Sequence, residues 1–110
     1  MIDRLNYRIY NNPMKSRFTW NEVKRSKNLD KHHLDFADAG LVLDSLFRLD
    51  IESVRNNEER MQSFAYVFDR LAVLTVVHLK NERPHIISFR TASEEERKDY
   101  HDWLKNDYTT

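Results

Sequence analysis

From Phe47 to Thr91 the chain runs in short segments of period two broken by turn residues, and this pattern most constrains what it can fold into. Phe47, Leu49 and Ile51 alternate with Arg48, Asp50 and Glu52, the signature of a half-buried strand. Arg55-Asn56-Asn57-Glu58 reads as a turn, and Arg60 to Phe68 as the next strand. Asp69-Arg70 turns the chain into Leu71 to Lys80, the run richest in β-branched residues and therefore the most buried strand. Asn81-Glu82-Arg83-Pro84 turns again, and His85 to Thr91 forms the last strand. Four strands joined by short turns predict an antiparallel meander, because a parallel pair needs a long crossover.

The flanks carry helical signals. Phe18-Thr19-Trp20 reads as a short strand or extended lead-in, after which Asn21 suits an N-cap with Glu22 in the first turn. The helix that follows runs to about Lys31. Val23, Lys27 and Leu29 leave it a narrow apolar stripe, so its exposed face is strongly basic. Asp35 suits the N-cap of a second helix with Phe36, Ala39, Leu41, Val42 and Leu43 on its apolar side, although Gly40 costs a helix about 1 kcal/mol against alanine. Ser93 with Glu96 three residues on is a capping box, opening a helix that buries Tyr100, Trp103 and Leu104. The predicted class is α+β: two N-terminal helices, a four-stranded mainly antiparallel sheet and a C-terminal helix that together cover one face of the sheet. Residues 18–110 are expected to form one domain. Residues 1–17 precede it as an arm or extension, in which Ile2 to Tyr10 is a short strand or a loose arm ended by Asn11-Asn12-Pro13.

Composition narrows the classes. At 110 residues there is room for one core. Apolar residues at 40% and charged residues at 33% are typical of a globular, well-solvated chain. The absence of cysteine excludes a disulfide framework and a thiolate metal site, and fits a reducing compartment. A single glycine argues against a glycine-rich nucleotide loop. No apolar run approaches the roughly 20 residues that span a bilayer, and Met1 to Met14 lacks the apolar centre of a signal peptide, so a cytoplasmic location is expected. The net charge is zero but unevenly spread. Residues 1–31 carry eight basic against three acidic side chains, and residues 60–90 five against two. The other two blocks, 32–59 and 91–110, are acidic. A basic face for a polyanion is compatible with this pattern, and so are ordinary solvated faces.

Chemistry-bearing residues are sparse. The five histidines show no metal-ligand spacing, and there is no serine elbow, P-loop or thiol nucleophile, so no metal and no cofactor is expected. What remains is a basic and imidazole set on the strands. By parity His78 shares a face with Leu74 and Val76, Arg60 opens its strand, and Arg90 lies near the end of the last one. One reading is a phosphate site, in which arginine forks meet phosphate oxygens and a histidine moves a proton. The other is structural, with Arg60 and Arg90 paired to Glu58, Glu59 or Asp69 and His78 partly buried and satisfied.

The order of several short motifs resembles the BrnT family of toxins. Phe18-Thr19-Trp20-Asn21-Glu22-Val23-Lys24, then Asn28-Leu29-Asp30-Lys31-His32, then Phe36-Ala37-Asp38-Ala39 are similar to the family's opening. Glu58-Glu59-Arg60, Val76-Val77-His78 and Ile86-Ile87-Ser88-Phe89-Arg90-Thr91-Ala92 resemble its strand motifs, and Glu94 to Tyr100 its closing helix. The likeness covers about residues 18 to 100. Asn21 stands where the family usually has Asp, His33-Leu34 where it has Gly-Val, and Phe89 where it has a small residue. A glycine at the His33 position would take a positive φ more readily than histidine does.

The resemblance implies a RelE-like fold and a toxin of a type II toxin–antitoxin system that cleaves RNA, inhibiting translation and growth. Its implied partner is a BrnA-like ribbon-helix-helix antitoxin whose dimer would build a heterotetramer and bind operator DNA. Cleavage would be metal-independent, through attack of a 2′-OH on the adjacent phosphate. Carried over by position, Arg60 and Arg90 would clamp phosphate and His78 would transfer the proton, with Lys31 and His32 as further candidates. His32 equally suits a structural place at the helix end. Phe18, Trp20 and Tyr100 are expected in the core. The rival reading is a non-catalytic module whose basic helix, Lys24 to Lys31, docks an acidic peptide or a DNA-binding partner that regulates its own transcription.

Overall fold

A computed structural model describes residues 17–108. The expected N-terminal strand or arm lies outside the described residues. The chain runs β1 (Thr19–Trp20), α1 (Glu22–His32), a 3-10 turn (Phe36–Asp38), α2 (Gly40–Leu43), β2 (Leu49–Arg55), β3 (Glu58–Val67), β4 (Ala72–Leu79), β5 (His85–Thr91) and α3 (Glu94–Tyr108). The strands form one sheet in the order β1-β5-β4-β3-β2, antiparallel except for β1, which runs parallel to β5. No helix among the described residues is long and apolar enough to cross a membrane.

The α+β class and the β2–β5 meander agree with the sequence, while two expectations need correction. The sheet has five strands, not four, because Thr19 and Trp20 extend it at the β5 edge. The second N-terminal helix is not continuous. Asp35 accepts a hydrogen bond from the Ala37 backbone N–H (2.9 Å), which favours a tight 3-10 turn, and only one α-turn follows from Gly40, the poorest helix former in the segment.

Local chemistry explains the joints. Asn56 and Asn57 both take positive φ (54° and 63°), the two-residue hairpin turn that matches strand twist, so Arg55 faces Glu58 across the β2–β3 pair. Ser93 and Glu96 exchange both capping-box hydrogen bonds (3.2 and 2.9 Å) and start α3. His33 ends α1 in the left-handed region (φ 60°, ψ 28°), with its N–H on the Leu29 carbonyl. A non-glycine residue there carries strain on the order of 1 kcal/mol, so His33→Gly is expected to raise stability by a few tenths to about 1 kcal/mol. Chemical denaturation checks this, and an unchanged or lower midpoint contradicts it.

Helices cover the sheet on both faces, not one. On the first face Ala65, Val67, Leu74, Val76, Ile86 and Phe89 pack against Phe18, Leu34, Phe36, Ala39 and Val42, with Trp20 alongside. On the second, Phe64, Val73, Ala92 and Tyr100 form a smaller cluster with Trp103 and Leu104 of α3. Tyr100 is buried, and its hydroxyl donates to the Phe47 carbonyl (2.7 Å), which makes it a core residue. The expected apolar stripe of α1 is not what anchors it, since Val23 is 63% exposed. The buried residue is Asn28. Its amide donates to the Leu34 and Phe89 carbonyls (3.0 and 2.7 Å) and accepts from the Phe89 N–H (3.2 Å). Because β1 pairs only as far as Ile86, this side chain satisfies the β5 edge where β1 stops.

One irregularity decides which side chains face where. The β4–β5 pairing slips between Val77 and His78, so that Val77 faces Ser88 and His78 faces Ile86, leaving Ile87 as the extra residue of a bulge. The bulge lets Ile86 and Phe89 both enter the first-face core while Ser88 and Arg90 point to the second face.

Candidate functional site

Because α3 covers only the Phe64–Val73 end of the second face, the other end of that face lies open. Its side chains come from four strands: Ser53 and Arg55 of β2, Arg60 and Gln62 of β3, Val77 of β4, and Ser88 and Arg90 of β5. With Ile87 and Val54 they line a groove of about 390 Å³ that holds three arginines and no acidic residue. Alternation along β3 gives Arg60 and Gln62 the same face as Phe64, and the bulge gives Arg90 that face on β5.

The two predicted arginines are held from the groove's margins. Arg60 meets Glu58 through Nε and Nη2 (3.0 and 2.9 Å). Arg90 forks onto Glu96, with Nη1 on Oε1 (2.7 Å) and Nη2 on Oε2 (2.9 Å). The Arg90 hydrogen bonds hold the Glu96 carboxyl down to about 2, against an opposing effect of burial and with help from Ser93. Arg90 therefore also ties β5 to the start of α3. A guanidinium has five N–H donors. The Glu96 fork and a longer Nη1 contact to the Thr91 carbonyl (3.4 Å) leave Nε–H and one Nη2–H of Arg90 without a partner among the described residues. The structural pairing expected from sequence thus exists for Arg60 with Glu58, while the Arg90 partner is Glu96.

Lys31 and His32 lie beside this groove. Lys24, Lys27, Asn28, Lys31 and His32 of α1 line a shallow depression of about 240 Å³ whose floor is Ile87, the same residue that borders the arginine groove. Burial lowers the His32 pKa, and the nearby charges of Lys31, Arg90 and His33 lower it further. His32 is therefore a neutral imidazole near pH 7, close enough to Arg90 to feel its charge.

His78 is not brought to this site. It lies on the first face, 6% exposed, at the end of β4 away from Arg90, which pairs with Thr75. Its Nε2 is 3.0 Å from Ser63 Oγ, and Ser63 Oγ donates to Asp50 Oδ1 (2.7 Å). The single hydroxyl proton of Ser63 is used there, so His78 Nε2 faces Ser63 as a donor, while Nδ1 lies 3.3 Å from the Leu79 carbonyl and competes for the one proton of a neutral ring. Asp50 is forked by Arg48 (2.8 and 2.7 Å), which also donates to the Leu43 carbonyl (2.7 Å). Burial raises the Asp50 pKa, but the hydrogen bonds from Arg48 and Ser63 outweigh it and hold the carboxyl low. Burial lowers His78. Serine sits between histidine and carboxylate, the wrong order for an activated nucleophile, and the chain Arg48–Asp50–Ser63–His78 reads as a satisfied buried network.

Sequence reasoning missed Arg55, Gln62 and Ser88 in the groove, and Asn28 in the lysine-lined depression beside it. Arg55 carried a usable signal, since it flanks an Asn-Asn hairpin opposite Glu58 and only two positions beyond Ser53. The others depend on the bulge and on where β1 stops. A larger recess of about 580 Å³ lies among Leu41, Phe47, Tyr66, Phe68, Tyr100 and Leu104, but no lysine or arginine lines it, so it does not suit a polyanion. Among the described residues no three His, Asp or Glu side chains converge in a way that would hold a metal ion.

Comparison with known families agrees with the motif order. The family described as "Ribonuclease toxin, BrnT, of type II toxin-antitoxin system" matches residues 20–96, a span that includes Lys31, His32, Arg60, His78 and Arg90. The chain belongs to that family. Membership of a type II system implies an antitoxin partner. A search of curated proteins found no match.

Proposed function

We propose that this BrnT-family toxin is an endoribonuclease that cleaves RNA without a metal ion, and that the arginine groove with His32 at its rim is its active site. The observation that carries this reading is the convergence of Arg55, Arg60 and Arg90 in one groove lined by no acidic side chain, with His32 in the adjoining depression that shares Ile87. Arg60 and Arg90 bind the scissile phosphate and stabilise the charge that builds on its oxygens as phosphorus becomes five-coordinate. His32, neutral at pH 7, takes the proton of the attacking 2′-OH. The 2′-oxygen bonds to phosphorus, the bond to the 5′-oxygen breaks, and that oxygen takes a proton at the Lys31 side of the site or from water. His78, the proton-transfer group expected from motif position, has a structural role in this reading. Cleavage of cellular RNA in the cytoplasm then stops translation and growth. A BrnA-like ribbon-helix-helix antitoxin neutralises the toxin, its dimer building a heterotetramer that binds operator DNA.

The test is end-group analysis of RNA incubated with purified protein in excess chelator, across pH. Fragments with 2′,3′-cyclic phosphate and 5′-OH ends are expected. The rate should fall as the pH is lowered, with its half-maximal point below 6.5, the ordinary histidine value, because the His32 pKa is lowered and its neutral form is the base. Fragments with 5′-phosphate ends, or activity lost to the chelator, contradict the mechanism.

A further inference from the structure

We infer that the lysine face of α1 is a phosphate subsite continuous with the arginine groove, so that the substrate is a single RNA strand running from the groove across Ile87 and along Lys24, Lys27 and Lys31. This rests on the proposed function and adds the path and strandedness of its substrate.

Positions 24, 27 and 31 fall on one side of a helix by spacing, and all three lysines line the same depression. Seven residues of α-helix carry the row about 10 Å along the axis. The bulge makes it continuous with the groove, since Ile87 borders both concavities and neither is lined by an acidic side chain. The three lysines make no ion pair among the described residues. By contrast Arg17, Arg25, Arg48, Arg60, Lys80, Arg90 and Lys98 are each paired with a carboxylate. Arg55, Arg70, Arg83 and Arg97 also make no ion pair among the described residues, but Lys24, Lys27 and Lys31 are the ones gathered in a single concavity beside the groove, where a phosphate backbone would meet them together. The row is also firmly placed. Arg25 bonds Glu22 and Asp35, and Asn28 is fixed to β5. The strand is single for two reasons. Attack of a 2′-OH needs the leaving 5′-oxygen in line behind phosphorus, a geometry that the regular A-form backbone does not offer. A half-buried apolar step, Ile87, between two cationic surfaces also suits a splayed base or ribose, as single-strand tracks do.

Fluorescence anisotropy with a labelled single-stranded RNA, repeated over a range of salt, tests this on the full chain. Lys24→Gln with Lys27→Gln is compared with Lys80→Gln with Lys98→Gln, which removes the same charge elsewhere. Each phosphate contact contributes about −0.7 to the logarithmic salt slope for single strands, so the first pair should flatten the slope by about 1.4 and the second should leave it alone. A slope unchanged in the Lys24/Lys27 variant, or equal flattening in both, overturns the inference while leaving the groove reading intact. Tighter binding to duplex than to single strands overturns it too, as does a lysine variant that keeps RNA affinity but loses an acidic protein partner. RNA that binds with the expected slopes but is never cleaved supports the track and sinks the catalytic reading.

Discussion

Arg60→Gln is expected to lower RNA cleavage by about 10²–10³-fold, the usual cost of removing one preorganised donor to developing charge, while barely changing stability. Arg60 lies in the groove with a side chain 21% exposed, and its partner Glu58 is 46% exposed, so the pair keeps contact with solvent on the Glu58 side. A pair of that kind contributes about 0–1 kcal/mol. Activity and melting temperature should therefore separate cleanly. Arg60→Lys keeps the charge but loses the planar fork, and it should recover only part of the rate. Arg90 is a poorer probe. Its fork onto Glu96 also holds the capping box of α3, so Arg90→Ala would remove a phosphate ligand and loosen a helix together. Steady-state cleavage beside a thermal melt decides the matter. Loss of rate matched by loss of folded protein would place Arg60 in the scaffold.

Asn28→Leu is expected to destabilise the fold by about 3 kcal/mol, because it strips partners from buried backbone groups that cost roughly 1–3 kcal/mol each when unsatisfied. The Phe89 N–H and carbonyl, and the Leu34 carbonyl, all lose the Asn28 amide. Leucine is nearly isosteric, so the loss reports hydrogen bonding and not volume. Against a total stability of about 5–15 kcal/mol this is a large fraction. Urea denaturation measures it. A change below about 1 kcal/mol would mean that water or backbone movement replaces the amide at the β5 edge.

Much of the architecture is legible in the residues themselves. His85–Thr91 is both the expected and the observed last strand, and the Asn56-Asn57 turn and the Ser93–Glu96 box form as their chemistry requires. Parity also placed His78 with Leu74 and Val76 correctly. That same parity, taken with the register, puts His78 opposite the arginine groove, a consequence that motif order conceals. Three features escaped because they depend on relations between distant segments. A short strand at Thr19-Trp20 is one of the readings of that segment, but two residues are too few to show that it pairs with β5 and adds a fifth strand to the sheet. Asn28 looks like any polar residue in a helix until the Phe89 edge is seen beside it. The bulge at Ile87 is invisible in Ile86-Ile87-Ser88-Phe89-Arg90, where simple alternation would give Ile86 and Arg90 one face. That one extra residue assembles the candidate site, turning Arg90 toward Arg60 and setting Ile87 between the arginines and the α1 lysines.

The most direct test of an RNA-cleaving toxin centred on this groove is induced expression in a bacterial host. Wild type is set beside Arg60→Gln, with growth, total RNA integrity and soluble protein followed over the first minutes. Arrest with fragmented RNA for wild type, and normal growth with intact RNA for an equally abundant folded variant, is the expected result. Intact RNA with wild type soluble and harmless, or a variant as toxic as wild type, would contradict the assignment of the arginine groove as the catalytic site.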